Sequence, residues 1–195
     1  MMKDRIRKGK LPAIGKVRVK VIGGEVFGLP KRERARRFDD ETVIGIAAML
    51  GDLRAEQERR SNAKSDALCL CCILPPEDVK RHILLKNGLQ YLVMLTEARG
   101  KGEIPRGCFV VASDNGYEYE ISEFYVQERF RRKGFGRMMF RAFVRRLHKD
   151  CGKRPVRIFL TVAKGNAAAE EFYRDLGFSE SAKVMTFHGE NGRGR

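Results

Sequence analysis

One segment constrains this chain more than any other: Phe124-Tyr125-Val126-Gln127-Glu128-Arg129-Phe130-Arg131-Arg132-Lys133-Gly134-Phe135-Gly136-Arg137-Met138-Met139-Phe140. An apolar run ends at Val126 and a basic turn with two glycines follows. The spacing of Phe135, Met138, Met139, Ala142, Phe143 and Leu147 then predicts an amphipathic helix. Strand, turn and helix in that order aim successive backbone N–H groups, and the positive end of a helix, at one point. Gly134 and Gly136 let the backbone approach a ligand with no Cβ in the way. Arg131, Arg132 and Lys133 add cations beside them. A turn of this kind binds phosphate or diphosphate. It is neither the nucleotide-triphosphatase loop nor the dinucleotide fingerprint, because Arg-Met-Met follows Gly136.

Around this segment the remaining pattern predicts an α/β chain. Lys16-Val17-Arg18-Val19-Lys20-Val21-Ile22 alternates strictly and reads as a half-buried strand, with a second short strand at Glu25-Val26-Phe27. Asp39-Asp40 caps a predicted helix from about Glu41 to Arg60. Leu68–Leu74 is ambiguous between strand and helix, and Pro75-Pro76 opens a helix that stops at Asn87-Gly88. Strands are predicted at Leu89–Thr96, Cys108–Ala112 and Tyr117–Val126. The motif helix then runs to about Lys149, and a strand at Val156–Val162, a helix at Ala167–Leu176 and a strand at Lys183–Phe187 complete the chain. The 195 residues suit one compact domain with an extension. The expected boundaries are a basic N-terminal arm at 1–38, a domain at 39–188 and a disordered tail at 189–195.

The net charge of +15 is concentrated. Residues 1–37 hold 13 basic and 3 acidic groups, and residues 129–157 hold 12 basic groups against Asp150 alone. Each block predicts an anionic ligand or partner, or else a solvated surface. Nucleic acid or another polyanion is the candidate partner of residues 1–37. Arg137, Arg141 and Arg145 recur every fourth residue on the motif helix, away from its apolar stripe, as a solvated row does. The five cysteines and three histidines show no metal-ligand spacing, so buried thiols and no metal are expected. No run approaches the roughly 18 apolar residues that span a bilayer, and no apolar run follows the N-terminus. A soluble, cytoplasmic protein without membrane contact is expected.

Arg131-x-x-Gly134-x-Gly136 after Phe124-Tyr125-Val126 resembles the coenzyme A-binding motif of GNAT acetyltransferases. Asn166-Ala167-Ala168-Ala169 with Tyr173 and Leu176-Gly177-Phe178 is similar to that family's second signature, and to the run found in ribosomal-protein N-terminal acetyltransferases. The resemblance covers 117–178. It implies the GNAT fold, a mixed α/β (α+β) central sheet splayed at the cofactor site and flanked by helices, and acetyl-CoA as cofactor. It also implies that the backbone amides of Arg132, Lys133, Gly134, Phe135, Gly136 and Arg137 hold the diphosphate. Tyr125 and Val126 would pair with the pantetheine arm through their backbone. Asn166 would cap the last helix and touch that arm, and Tyr173 would protonate the departing thiolate.

Transfer to an amine needs a neutral nucleophile, a stabilised oxyanion and a proton for the leaving group. A phenol with its ordinary pKa of about 10 can supply that proton. Strand alternation places Glu118 and Glu120 on one face and Glu123 on the other. Glu120, eleven residues before Arg131 as in histone-type family members, is the first candidate base and Glu123 the second. The other reading of these carboxylates is that they offset arginines or attract a basic acceptor. For Tyr173 the other reading is a core position beside Ala169, Phe172 and Leu176. Only Ser179-Glu180-Ser181-Ala182 separates Gly177-Phe178 from the last predicted strand, which implies an open acceptor side. That suits a protein lysine or N-terminus, or the aminoacyl-tRNA taken by toxin-type members of the family. A non-catalytic binding module on the same fold is the third reading.

Overall fold

The computed structural model describes residues 14–30, 32–33, 36, 38, 42–49, 51, 88–163 and 165–181. Its elements are β1 (Val17–Ile22), α1 (Gly24–Phe27), α2 (42–49), β2 (Leu89–Arg99), β3 (Gly102–Ala112), β4 (Glu118–Val126), a 3-10 turn (Glu128–Phe130), α3 (Phe135–Cys151), β5 (Arg157–Phe159) and α4 (Ala167–Asp175). Two compact units form, Met1–Leu160 and Thr161–Arg195. The first holds the sheet. The expectations at Leu68–Leu74, Pro75–Lys86, Lys183–Phe187 and the tail lie outside the described residues.

The five strands lie in sequence order. β1 to β4 pair antiparallel, and β5 joins β4 in parallel. The sheet is therefore mixed, as the resemblance implied. β1 takes the predicted register of an alternating strand and pairs with β2 along its whole length, from Val17–Glu97 to Ile22–Leu92. Short connections explain the antiparallel pairs β2–β3 and β3–β4, and the long crossover through α3 explains the parallel last pair. Corrections concern mainly element type and extent. Gly24–Phe27 is a helical turn, not a strand, because Val26 N–H bonds Gly23 C=O and Gly28 N–H bonds Gly24 C=O. That turn buries Phe27 against Phe38. The strand predicted to begin at Val156 and reach Val162 pairs only over Arg157–Phe159.

Both faces of the sheet are covered, so β2 is buried along most of its length rather than on alternate residues. On one face Leu92, Met94, Cys108, Val110 and Tyr125 pack with Phe27, Phe38, Val43, Ile46 and Met49. On the other face Phe143 of α3 sits edge-on to Tyr91 and Phe109, with centroids 5.4 and 5.7 Å away. α3 buries Met139, Phe140, Phe143 and Leu147 and leaves Met138 exposed, so its stripe is turned by one position from the predicted one. Phe143 is fully buried. Truncation of such a ring costs about 3–5 kcal/mol. Phe143→Ala is expected to lower the unfolding free energy by about that amount in a urea titration, without changing the midpoint's dependence on protein concentration.

Candidate active site

β4 serves two neighbours unequally. β3 pairs with it from Glu120 to Val126, whereas β5 pairs only with Glu118, Tyr119 and Glu120. Among the described residues, positions 121–126 have no ladder partner on the β5 side. Over this stretch the β5 ladder has ended while the β3 ladder continues to Val126. Tyr125 and Val126, the positions expected to hold the pantetheine arm, lie on this stretch.

A bulge interrupts β4 on the same stretch. Cys108 pairs with Tyr125 and Val110 with Ser122, so β4 carries one residue more than β3 between these pairs. Glu123 is in the left-handed region at φ 56°. The extra residue reverses the alternation. Ile121 and Phe124 both reach the α3 face, with Phe124 stacked 4.6 Å from Phe109, while Ser122 and Tyr125 share the opposite face. Strict alternation therefore does not assign a face to Glu123, which corrects the sequence reading. Its charge lies near Cys108 and, after burial, helps to push that thiol up to about 12. Gly107 lies across from the bulge. A Cβ there would stand 2.9 Å from the Tyr125 carbonyl oxygen, so the close approach of β3 and β4 requires glycine.

Glu118 and Glu120 are exposed on one face of β4, ahead of the bulge. With Asp114, Asn115, Ser113, Ala112 and Phe159 they line an open cleft of about 120 Å³. Glu118 is paired with Arg157 at 2.9 Å. Among the described residues Glu120 makes no ion pair.

The turn after β4 is built as a cradle. Gly134 caps α3 at φ 78° and ψ −2° with no side-chain cap bond, and Arg132 also adopts a positive φ of 57°. The first intrahelical bond runs from Met138 N–H to the Gly134 carbonyl at 3.0 Å, which leaves the N–H groups of Phe135, Gly136 and Arg137 ahead of the ladder. A Cβ on Gly134 would meet nothing within 4 Å, so the space over the turn is open. Open space, first-turn amides and a helix N-terminus fit a diphosphate. Arg131 Nε donates to the Val126 carbonyl at 2.6 Å and its guanidinium lies 5.1 Å over the Tyr125 ring, so it braces strand end to turn.

The sequence reading missed the support beneath this turn. Arg106 of β3 donates through Nε to Glu97 Oε2 at 3.0 Å and through Nη1 to Gln127 Oε1 at 3.2 Å. Its guanidinium also lies 5.6 Å over the buried Phe130 ring. Glu97 is 3% exposed. A hydrogen bond from Gly15 N–H, and then the Arg106 guanidinium, hold its carboxyl below the usual carboxylate range against the opposing effect of burial. That stabilisation is present above the ordinary carboxylate range and is lost as the pH falls through it. Glu97 and Arg106 fall just outside the strands predicted from the sequence, so their opposite charges on neighbouring strands gave no signal until β2 and β3 were seen to extend through them.

Asn166 and Tyr173 belong to the second unit. Asn166 caps α4 by accepting from Ala169 N–H. Tyr173 is half-buried between Phe172 and Phe178, and burial pushes its phenol up to about 12. The described residues contain no group of three His, Cys, Asp or Glu arranged to hold a metal ion. None of their helices is long and apolar enough to cross a membrane.

Residues 62–178, more than half of the chain, match the acetyltransferase (GNAT) family. Fold and site thus define the class, an acetyl-transferring enzyme whose donor is acetyl-CoA. The chain belongs to the GNAT family and is an N-acetyltransferase. Solved structures share the fold at low sequence identity. An aminoglycoside acetyltransferase from an uncultured soil metagenomic sample is 13% identical with a TM-score of 0.54, covering 90% of this chain and 97% of its own. A possible acetyltransferase from Clostridium difficile 630 is 18% identical at 0.54, with 88% and 97% covered. The ribosomal-protein-S18-alanine N-acetyltransferase from Escherichia coli is 14% identical at 0.50, with 85% and 80% covered. No curated protein sequence matches significantly.

The turn makes a prediction of its own. A side chain at Gly134 finds room but not a favourable backbone, since the left-handed region costs a non-glycine residue about 1 kcal/mol. Gly134→Ala is expected to lower the melting temperature by about 2–4 °C. It should also weaken coenzyme A binding in calorimetry, because the relaxed turn no longer aims its amides.

Proposed function

We propose that the acceptor is a primary amine of a protein, a lysine or an N-terminus, which attacks the acetyl group directly in a ternary complex. The observation that carries this reading is the exposed Glu120 on a narrow, open, acidic cleft beside the bulge of β4. A cleft of about 120 Å³ is below the roughly 300–1,000 Å³ that encloses a small-molecule ligand. It has room for one cationic side chain or chain end delivered from outside. The transferase domain in this reading spans 39–188, with β1 of the N-terminal extension completing its sheet.

Acetyl-CoA supplies the acetyl group. The amides of Arg132, Lys133, Gly134, Phe135, Gly136 and Arg137 bind its diphosphate, Arg131 keeps that turn closed on β4, and Tyr125 and Val126, beyond the end of the β5 ladder, pair with the pantetheine arm through their backbone. Asn166 orders the start of α4 beside that arm. The acceptor arrives as an ammonium and must lose a proton before attack. Glu120 takes that proton through water, with Glu123 as the second candidate. The neutral amine adds to the acetyl carbonyl, the C–S bond breaks, and Tyr173 Oη gives its proton to the departing sulfur. The second proton shed by the attacking nitrogen passes through water, and the Tyr173 phenolate is reprotonated. Burial keeps this phenol protonated through the whole neutral range, which is the state a general acid needs.

A second reading is acetylation of aminoacyl-tRNA. Arg141 and Arg145 are exposed on α3 and Asp150, the only acid of that stretch, is already engaged by Arg146 and Tyr91. This leaves a net basic face suited to an RNA backbone, as residues 1–37 are by composition. RNA binding that weakens steeply between 50 and 200 mM salt would favour it. The intact motifs speak against a non-catalytic module.

Labelled acetyl-CoA incubated with whole-cell lysate tests the reading. Label is expected on protein; label on RNA would replace the acceptor class, and label nowhere would remove the activity. Tyr173→Phe is expected to lower kcat by about 10²–10⁴, with the KM for acetyl-CoA within about twofold. The raised phenol pKa adds a sign. A group protonated up to about 12 produces no falling limb in the rate profile below pH 10, so any limb there must survive in Tyr173→Phe. Glu120→Gln is expected to lower kcat by about 10²-fold, and an unchanged kcat would transfer the base role away from Glu120.

A further inference from the structure

We infer that Glu97 and Arg106 are positioning residues for the cofactor turn, coupling it to the start of β1, although neither touches the cofactor. The inference rests on the reading of the Arg132–Arg137 turn as the diphosphate cradle. Three observations carry it. First, the pair is buried and its connections are specific: the Arg106 and Glu97 side chains are 15% and 4% exposed, with Nη2 of Arg106 3.0 Å from Glu97 Oε2. Second, Arg106 reaches the turn by three routes, two through its guanidinium and one through its backbone. Nη1 donates to Gln127 Oε1, the guanidinium covers Phe130, and the Arg106 carbonyl accepts from Gln127 N–H at 2.9 Å. Gln127 and Phe130 bracket the 3-10 turn, closed by Phe130 N–H on the Gln127 carbonyl at 2.8 Å, and Arg131 follows directly. Third, the other oxygen of Glu97 is held from the opposite end of the chain. Glu97 Oε1 accepts from Gly15 N–H at 2.7 Å.

The Gly15 contact is tight enough that a side chain there would push on its neighbours. A Cβ there would stand 3.0 Å from the Ala98 carbonyl oxygen and 3.3 Å from Glu97 Cγ and Oε1. The Ala98 N–H in turn bonds the Lys16 carbonyl at 2.8 Å, which fixes the backbone on both sides of the contact. A displacement at Gly15 therefore moves the Glu97 carboxylate, and with it the Arg106 fork that sets the angle at which the chain enters the amide turn. The other end of that turn is fixed by the buried face of α3, so the entry angle is the remaining freedom. An arginine suits the task because its planar fork can hold Glu97 and Gln127 together, which an ammonium on a flexible stem does not.

The test compares wild type with Arg106→Lys, with the double variant Glu97→Gln/Arg106→Met, which leaves no charge unpaired, and with Gly15→Ala. Each is assayed for coenzyme A affinity by calorimetry, for KM against kcat, and for melting temperature. Positioning predicts coenzyme A affinity about tenfold weaker in Arg106→Lys and in the double variant, and about threefold weaker in Gly15→Ala. The KM for acetyl-CoA should rise in parallel and kcat at saturation should stay within about twofold. A merely structural role predicts lower melting temperatures with unchanged affinity in the folded fraction, and that result overturns the inference. If the double variant does not fold, Arg106→Lys and Gly15→Ala decide by the same criterion. Wild-type protein that itself gives no heat with coenzyme A would remove the cradle reading and this one with it, whereas wild-type binding matched by all variants would remove positioning alone.

Discussion

The candidate site rests on a strand that its two neighbours pair unequally. β4 is paired with β3 up to Val126, but its parallel ladder with β5 ends at Glu120 and Phe159. The bulge at Glu123 falls just past the end of that ladder, and the extra residue bends the strand while β3 follows it closely through Gly107. Bulge and amide turn lie on one continuous stretch of chain from Glu120 to Arg137.

That backbone needs rigid support, because amide dipoles act on a ligand only when their directions are fixed. Support comes from two sides. α3 is held against the sheet by Phe143 and its ring neighbours, and its far end is tied by Arg146 to Glu25 and Asp150, the latter also accepting from Tyr91 Oη at 3.0 Å. The strand end is held by Arg131 on the Val126 carbonyl and by the Arg106–Glu97 pair under Gln127 and Phe130. Removing one partner leaves the other charge in a largely desolvated place without its counter-ion. The pair therefore stands or falls as a unit.

Much of the fold was legible in the residues. Alternation in Lys16–Ile22 gave β1, and the apolar runs at 89–96, 108–112 and 117–126 gave the three central strands. Their ends were less legible, since β2 and β3 extend to Arg99 and from Gly102 through residues whose charges are paired within the sheet. The short helical turn at Gly24–Phe27 was read as a strand because four residues are too few to show a period. The turn at Arg131–Gly136 was legible because glycine spacing and cations report directly on backbone geometry. Glu123 was misplaced because a strict period of two was carried through it, although the adjacent polar pair Ser122-Glu123 breaks the alternation that runs from Tyr117 to Ser122.

By itself the sequence determined the strand–turn–helix unit, the second signature around Asn166 and Tyr173, and through them the family. These are local patterns, fixed by what a backbone can do over a dozen residues. Tertiary structure alone decided that Arg131 braces the turn, that Glu118 is occupied by Arg157 while Glu120 faces an open cleft, and that Glu97 and Arg106, far from the motif in chain order, hold its entrance. The physical reason is the range of the interactions. Hydrogen bonds and ion pairs choose partners by distance in space, and the pairing of β2, β3 and β4 is what brings Gly15, Glu97, Arg106 and Gln127 within one another's reach.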